Sequence, residues 1–301
     1  MSSRAVIASD LLDHDGMDWS RVKRTAYLLH QHVRYEYPAP IRDLRHRLVV
    51  VPPCVHGDQR RLLHRVDISG AFARTRVRVD DFGNHVIDVR ASRVAEAIDF
   101  EAWVVVERTW GAGPALEVAD AASDRRLLDP TPLTHPDGSL HEVARALARG
   151  DPGPLELARR INDWVHGELT YEHGVTEVKT TAAEALALGR GVCQDYAHVM
   201  LALCRLGGLP ARYVSGHLLG EGGTHAWVEV LLPAPNRVGS VVAVPFDPTH
   251  AHQPGLNYLT IAVGRDYADV APTSGTFRAG HAGQLSARKR LGLTSVEYAA
   301  A

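Results

Sequence analysis

A cysteine stands at the start of an expected helix in Gly191-Val192-Cys193-Gln194-Asp195-Tyr196. The helical spacing of Val199, Met200, Leu203 and Leu206 after it, and the Gly207-Gly208 stop, place Cys193 at a helix N-terminus. There the partial positive charge of the helix favours thiolate over thiol, and thiolate is the reactive species. Asp195 opposes that charge, so a cationic partner is required. His225 supplies one in Thr224-His225-Ala226-Trp227-Val228-Glu229-Val230, where period-two alternation puts Ala226, Val228 and Val230 on one face and His225, Trp227 and Glu229 on the other. An imidazole so held can pair with the thiolate as imidazolium and then act as general acid toward a leaving amine. Asp247 ends a strand at Phe246-Asp247-Pro248-Thr249, and a neighbouring antiparallel strand brings it to the second imidazole nitrogen, fixing tautomer and orientation.

Taken singly, each residue has a plainer role: a buried Cys packs as a small hydrophobe, a strand His is a hydrogen-bonded core residue, and an Asp before Pro forms a turn. The combination carries the chemistry. Cys204 lies eleven residues beyond Cys193 on the same helix, about 16 Å away at the standard rise, so the two cannot bridge. Cys54 follows Pro52-Pro53 as a loop thiol. His217, His225, His250 and His252 raise a metal site, with His250 and His252 expected on one strand face, but no Cys or carboxylate accompanies them at zinc-finger or zincin spacing. No metal or organic cofactor is implied.

The elements that must position these residues are legible in part. Residues 1–24 are polar and acidic without a sustained period and are expected to be a flexible arm. Residues 25–112 show short apolar runs separated by turn residues: Leu48 to Val51, Ile68 to Val79, Val86 to Val89 and Phe100 to Trp110. With Asp80-Asp81-Phe82-Gly83-Asn84 as a hairpin loop, they predict an antiparallel, sandwich-like β domain. Residues 113–153 form a Gly/Pro/Asp/Ala-rich linker in which Leu140 to Leu147 has helical spacing. Residues 154–275 begin with a helix opened by Pro154 and a second opened by the capping box Thr181-Ala182-Ala183-Glu184 and stopped at Gly189. The Cys193 helix follows, then period-two segments at Arg212 to Gly216, Thr224 to Leu232 and Val241 to Phe246. Helices followed by strands make an α+β core. Residues 276–301 are a C-terminal segment.

Five blocks, Gly191 to His198, Leu209 to His217, His225 to Glu229, Phe246 to Thr249 and Val263 to Tyr267, resemble the bacterial transglutaminase-like superfamily in order and wording. Tyr35 to Pro40 and Asp81 to Asn84 resemble the N-terminal domain that accompanies this core in many bacterial members. The resemblance spans about residues 25–275. It implies a papain-like core with Cys193 as nucleophile, His225 as base and Asp247 as orienting acid. Two departures stand out: the link from Pro233 to Ser240 is longer than the family's tight Gly-Trp turn, and no Trp lies between Val165 and Cys193 to serve the oxyanion. The Cys193 backbone N–H is the first oxyanion candidate, with Gln194 and Tyr213 as alternatives. His217 and Trp227 are candidates for lining the cleft.

Composition bounds the function further. The 301 residues correspond to about two domains at roughly 150 each, and 45% hydrophobic with 23% charged residues is a globular balance. Opposing totals of 33 and 35 leave a net charge of −2, which excludes recruitment to nucleic acid or an anionic membrane through bulk charge. Three Cys argue against a disulfide framework and point to a reducing compartment, with the cytoplasm expected. The expected activity is hydrolysis of a peptide or carboxamide through a thioacyl enzyme, acting on a peptide or protein. The alternatives are acyl transfer to an amine acceptor and non-catalytic peptide binding or scaffolding. The first domain is left with three roles: gating the cleft, binding substrate, or covering an edge of the catalytic sheet. Oligomeric state is not read.

Overall fold

The Arg/apolar alternation of Arg74–Val79 and the return from His85 form a hairpin whose loop is closed by Asp80, its Oδ1 accepting from the Phe82 and Asn84 amides at 3.0 and 2.9 Å. This hairpin lies in an N-terminal sandwich of two antiparallel sheets. The computed structural model describes residues 11–111, 124–234 and 241–299.

The first seven strands are β1 (Val22–Glu36), β2 (Ile41–Val51), β3 (Val55–His56), β4 (Gln59–Ser69), β5 (Arg74–Val79), β6 (His85–Val94) and β7 (Ala97–Thr109). The middle of the chain gives α1 (Gly138–Leu147), α2 (Pro154–Glu168), β8 (Thr170–Tyr171), α3 (Ala182–Leu188), β9 (Arg190–Gly191) and α4 (Cys193–Leu206). Then come β10 (Ala211–Leu218), β11 (His225–Pro233), β12 (Val241–Phe246), β13 (Tyr258–Gly264), α5 (Tyr267–Val270), β14 (Thr273–Arg278) and β15 (Gln284–Tyr298). The sandwich sheets run β15-β1-β7-β4-β3 and β14-β2-β6-β5, and the core sheet runs β12-β11-β10-β13. The architecture is α+β: a β-sandwich followed by helices and then an antiparallel sheet.

Helix boundaries follow their local signals. Pro154 occupies the first turn of α2, Thr181 and Glu184 make the reciprocal capping box of α3, and Gly189 ends α3 at φ +65°. Helix α4 is buried along nearly its whole length, from Gln194 through Arg205, and packs against β10 and β11.

Strand pairing corrects several expectations. The run from Ile68 to Val79 is two strands, because Gly70 at φ +85° breaks it. β1 and most of β4 go unread because they carry His, Arg and Gln among their apolar residues. The arm is not free over its described part: Leu12 bridges Leu293, and Met17 and Trp19 pack on the sandwich core; residues 1–10 lie outside the described residues. The C-terminal segment is part of the sandwich, since β15 pairs with β1 from Val22↔Tyr298 to Glu36↔Gln284, and the boundary at 275 cuts through β14, which pairs with β2. Helix α1 belongs to the core, not to a linker, with Leu140 fully buried among residues of α2 and α4. Residues 112–123, all but the first within the expected linker, and most of the Pro233–Ser240 connection, 235–240, lie outside the described residues.

The sandwich docks on the free edge of β13. The Gln59 amide donates to the Thr260 carbonyl at 2.7 Å and accepts its N–H at 2.8 Å, and Asn84 does the same for Val263 at 2.7 and 2.8 Å. Two side-chain carboxamides thus stand in for a neighbouring strand and satisfy an edge that would otherwise be open. Among the described residues, no helix is long and apolar enough to cross a membrane.

Candidate active site

Cys193 is the first residue of α4, where helix geometry leaves its backbone N–H without an intrahelical acceptor. Asp195 fixes this turn: its Oδ2 accepts from the Val192 N–H at 2.8 Å and from Thr176 Oγ1–H at 2.7 Å. The carboxylate folds back so closely that a Cβ on Gly191 would meet Asp195 Oδ2 at 2.5 Å. Gly191 is therefore required by space and not by a positive φ. Burial raises the Asp195 pKa against those hydrogen bonds.

His225 is the first residue of β11 and Asp247 follows directly after β12, in a register where Val228 pairs with Phe246. That register, left loose by the length of the connection, brings His225 Nε2 to 2.7 Å from Asp247 Oδ2. The other ring nitrogen faces Glu221, whose Oε2 is 3.3 Å from Nδ1, and Cys193 is near enough to His225 to help raise its pKa. Burial alone would make His225 a weaker base, but the hydrogen bonds to Asp247, Cys193 and Glu221 outweigh it and raise its pKa. Burial likewise opposes the Asp247 charge, yet donors from His225, His250 and Tyr258 hold that carboxyl well below the usual range. The structure brings Cys193, His225 and Asp247 together at one end of the core sheet.

Around Asp247 stand groups the sequence did not assign. His250 Nδ1 lies 2.8 Å and Tyr258 Oη 2.6 Å from Oδ2, and the Thr249 N–H reaches Oδ1 at 2.9 Å. His252 Nε2 in turn lies 2.9 Å from the Tyr258 hydroxyl. His250 and His252 do not share a strand face. They flank Ala251 at φ +55° in the turn after Asp247, and each ring goes to its own partner. Ligating atoms of His225, Asp247 and His250 lie within 4.8 Å of one another, but both imidazoles contact the same carboxylate oxygen, which fills the point between them.

The remaining candidates are spread over different roles. Trp227 is buried behind His225, its ring stacked at 27° and 6.2 Å between centroids, and Gly216 leaves the space its indole needs, since a Cβ there would collide with the ring and with the Leu259 carbonyl. His217 does not line the cleft. It is 1% exposed, and its Nδ1 is 2.9 Å from the Gly223 carbonyl beneath the turn that carries Glu221; burial lowers its pKa to about 4. Gln194 directs its amide to the Val178 carbonyl at 3.4 Å. Tyr213 is buried beside His198 and Tyr267, its pKa raised by burial and then by Cys193. Cys204 is fully buried and Cys54 is exposed.

Arg212 and Glu229 form a buried pair at 2.7 Å between Nε and Oε2, and His56 of β3 reaches Glu229 Oε1 at 2.8 Å. Behind Trp227 and Tyr258 the two domains line an open pocket of about 510 Å³, whose walls also include His56, Glu229 and Arg108. Arg108 holds the segment before β13, donating to the carbonyls of Gly255 and Tyr258 at 2.6 and 2.5 Å. The first domain thus supports Tyr258 from behind. The signal for His250 was its place three residues after Asp247 in a tight turn; Tyr258 and Glu221 carried none.

Comparison with known proteins agrees with this fold. Residues 141–239 match the transglutaminase-like superfamily core, and residues 27–107 match the bacterial transglutaminase-like N-terminal region. The uncharacterized protein ML0607 of Mycobacterium leprae is 30% identical over 263 residues, 81% of this chain and 89% of that protein. The uncharacterized protein Rv2569c of Mycobacterium tuberculosis is 29% identical over 243 residues, 72% and 76% of the two chains. In fold, the chain is similar to a Cytophaga hutchinsonii protein described as a candidate cysteine protease, with a TM-score of 0.74, 18% identity, and coverage of 93% of this chain and 94% of that one. A buried histidine between a helix-initial cysteine and an aspartate, under a sandwich of matching sequence, therefore has a family: the chain belongs to the transglutaminase-like superfamily and carries the bacterial transglutaminase-like N-terminal region ahead of its core.

Proposed function

We propose that the protein is a thiol hydrolase of peptide or carboxamide bonds. The observation that carries this reading is His225, buried, bonded to Asp247 at 2.7 Å, and raised in basicity by Asp247 and by the helix-initial Cys193. The Cys193 thiolate adds to the substrate carbonyl, the C–N bond breaks as His225 gives its proton to the leaving amine or ammonia, and a thioester to Sγ remains. Water, deprotonated by His225, then adds to the thioester and releases the carboxylic acid and the thiol. The Cys193 N–H is the oxyanion donor this reading requires. Amine in place of water gives acyl transfer by the same groups.

The test is the pH dependence of alkylation of each thiol, followed by peptide mass mapping in wild type and His225→Ala. Cys54 is exposed, its sulfur accepting from Arg61 Nη2 at 3.0 Å, and serves as the thiol outside the site, while Cys204 is sealed in the core and reports unfolding. The reading expects Cys193 to react at lower pH than Cys54 and to lose that advantage without His225. If Cys193 and Cys54 show the same profile in wild type, the pair is not assembled and a non-catalytic role takes over.

A further inference from the structure

Glu221 lies outside helix and strand, in the turn between β10 and β11, yet that turn is fastened. His217 Nδ1–H donates to the Gly223 carbonyl at 2.9 Å, the Leu219 N–H to the Asn257 carbonyl at 3.0 Å, and the Glu221 N–H to the Leu218 carbonyl at 3.2 Å. Gly220 makes the bend at φ +94°, a conformation side chains with a Cβ rarely adopt. The carboxylate is thereby set between two imidazoles, Oε2 at 3.3 Å from His225 Nδ1 and Oε1 at 3.4 Å from His250 Nε2, while 40% of the side chain stays exposed.

His225 does not need Glu221 for its orientation, because Nε2 is already held by Asp247 at 2.7 Å. What the carboxylate does border is Nδ1. In the reaction proposed above, Nδ1 gives its proton to the departing nitrogen, so Glu221 flanks the space entered by the nitrogen side of the scissile bond. A half-exposed carboxylate beside the proton donor suits an ammonium or guanidinium group, through charge-assisted hydrogen bonding.

Resting on the assignment of Cys193 and His225, we infer that Glu221 selects substrates carrying a basic group on the nitrogen side of the scissile amide, as a following Lys or Arg residue does. The charge sits beside the proton donor, so the selection acts on the leaving or intercepting amine.

The experiment needs no substrate. Rates of modification of Cys193 are measured with aminoethyl, methyl and sulfonatoethyl methanethiosulfonate, which are cationic, neutral and anionic, in wild type, Glu221→Gln and Glu221→Lys. The ratio of cationic to anionic rates cancels any change in thiolate fraction, which affects all reagents alike. The expected result is a ratio that falls about tenfold in Glu221→Gln, as one nearby charge in a partly wet site produces, and falls further in Glu221→Lys. A ratio unchanged by both substitutions, with Cys193 still faster than Cys54 toward the neutral reagent, overturns the inference and leaves the hydrolase reading standing. A Cys193 no faster than Cys54 toward the neutral reagent removes that reading, and the inference with it.

Discussion

The Tyr258 hydroxyl donates to Asp247 Oδ2 at 2.6 Å, the same oxygen that His225 Nε2 reaches at 2.7 Å. Tyr258 begins β13, and its carbonyl is gripped by Arg108 of the first domain at 2.5 Å. The sandwich is thus connected to the imidazole through one tyrosine and one carboxylate.

Removing that hydroxyl isolates its share. Tyr258→Phe keeps the ring against Trp227 and deletes the hydrogen bond to a buried carboxylate, worth about 1.5–3 kcal/mol as a bond to a charged group, together with the weaker contact to His252 Nε2. Urea unfolding is expected to show a loss of that size with an unchanged slope; no loss means that Asp247 is fully served by His225, His250 and the Thr249 amide.

Asp247→Asn is expected to abolish the thiolate–imidazolium pair. The amide cannot stabilise an imidazolium, and in the Ser-His-Asp triad of serine proteases the equivalent change costs roughly 10⁴ in turnover. Alkylation of Cys193 in this variant is expected to follow the profile of Cys54. Retained low-pH reactivity would place the activating charge elsewhere.

The buried Glu229 makes a prediction in acid. Burial opposes its ionisation, but Arg212 and His56 hold its pKa down at about 2. A carboxyl depressed from its unfolded value of about 4.3 contributes stability that is present above that value and lost as pH falls toward the folded one. Wild type is expected to lose stability steeply between those limits, and Glu229→Gln to show a shallower slope there in chemical unfolding at stepped pH. Arg212→Met leaves the buried carboxylate with His56 alone and is expected to cost up to about 3–5 kcal/mol at neutral pH.

Gly216→Ala tests the packing behind the imidazole. The added methyl meets the Trp227 indole and the Leu259 carbonyl, and backbone cannot give way as a flexible side chain does. Overpacking of this kind costs typically about 1–3 kcal/mol, and the displaced indole is expected to slow Cys193 alkylation as well as lower the melting temperature. Loss of stability with alkylation intact would show that Trp227 only packs.

Along the chain, signals within a few residues of each other were decisive. Thr181 with Glu184, Pro154, Gly189 and the helix-initial Cys193 each act through neighbouring backbone groups, so the helices of the core and the position of the cysteine are determined by the sequence alone. The alternation around His225 and the hairpin loop at Asp80 are local in the same sense. Tertiary structure decided what depends on pairing between distant residues. β15 joins β1 from the far end of the chain, and nothing in 284–298 names that partner, because a strand edge is satisfied equally well by any chain of compatible twist and face. The same holds for Gln59 and Asn84, whose carboxamides act as a strand only once β13 lies beside them. Glu221, between glycines, has no local pattern beyond a turn. Its approach to His225 comes from the bend at Gly220 and the buried His217 that pins Gly223, so its chemistry exists only in the folded chain.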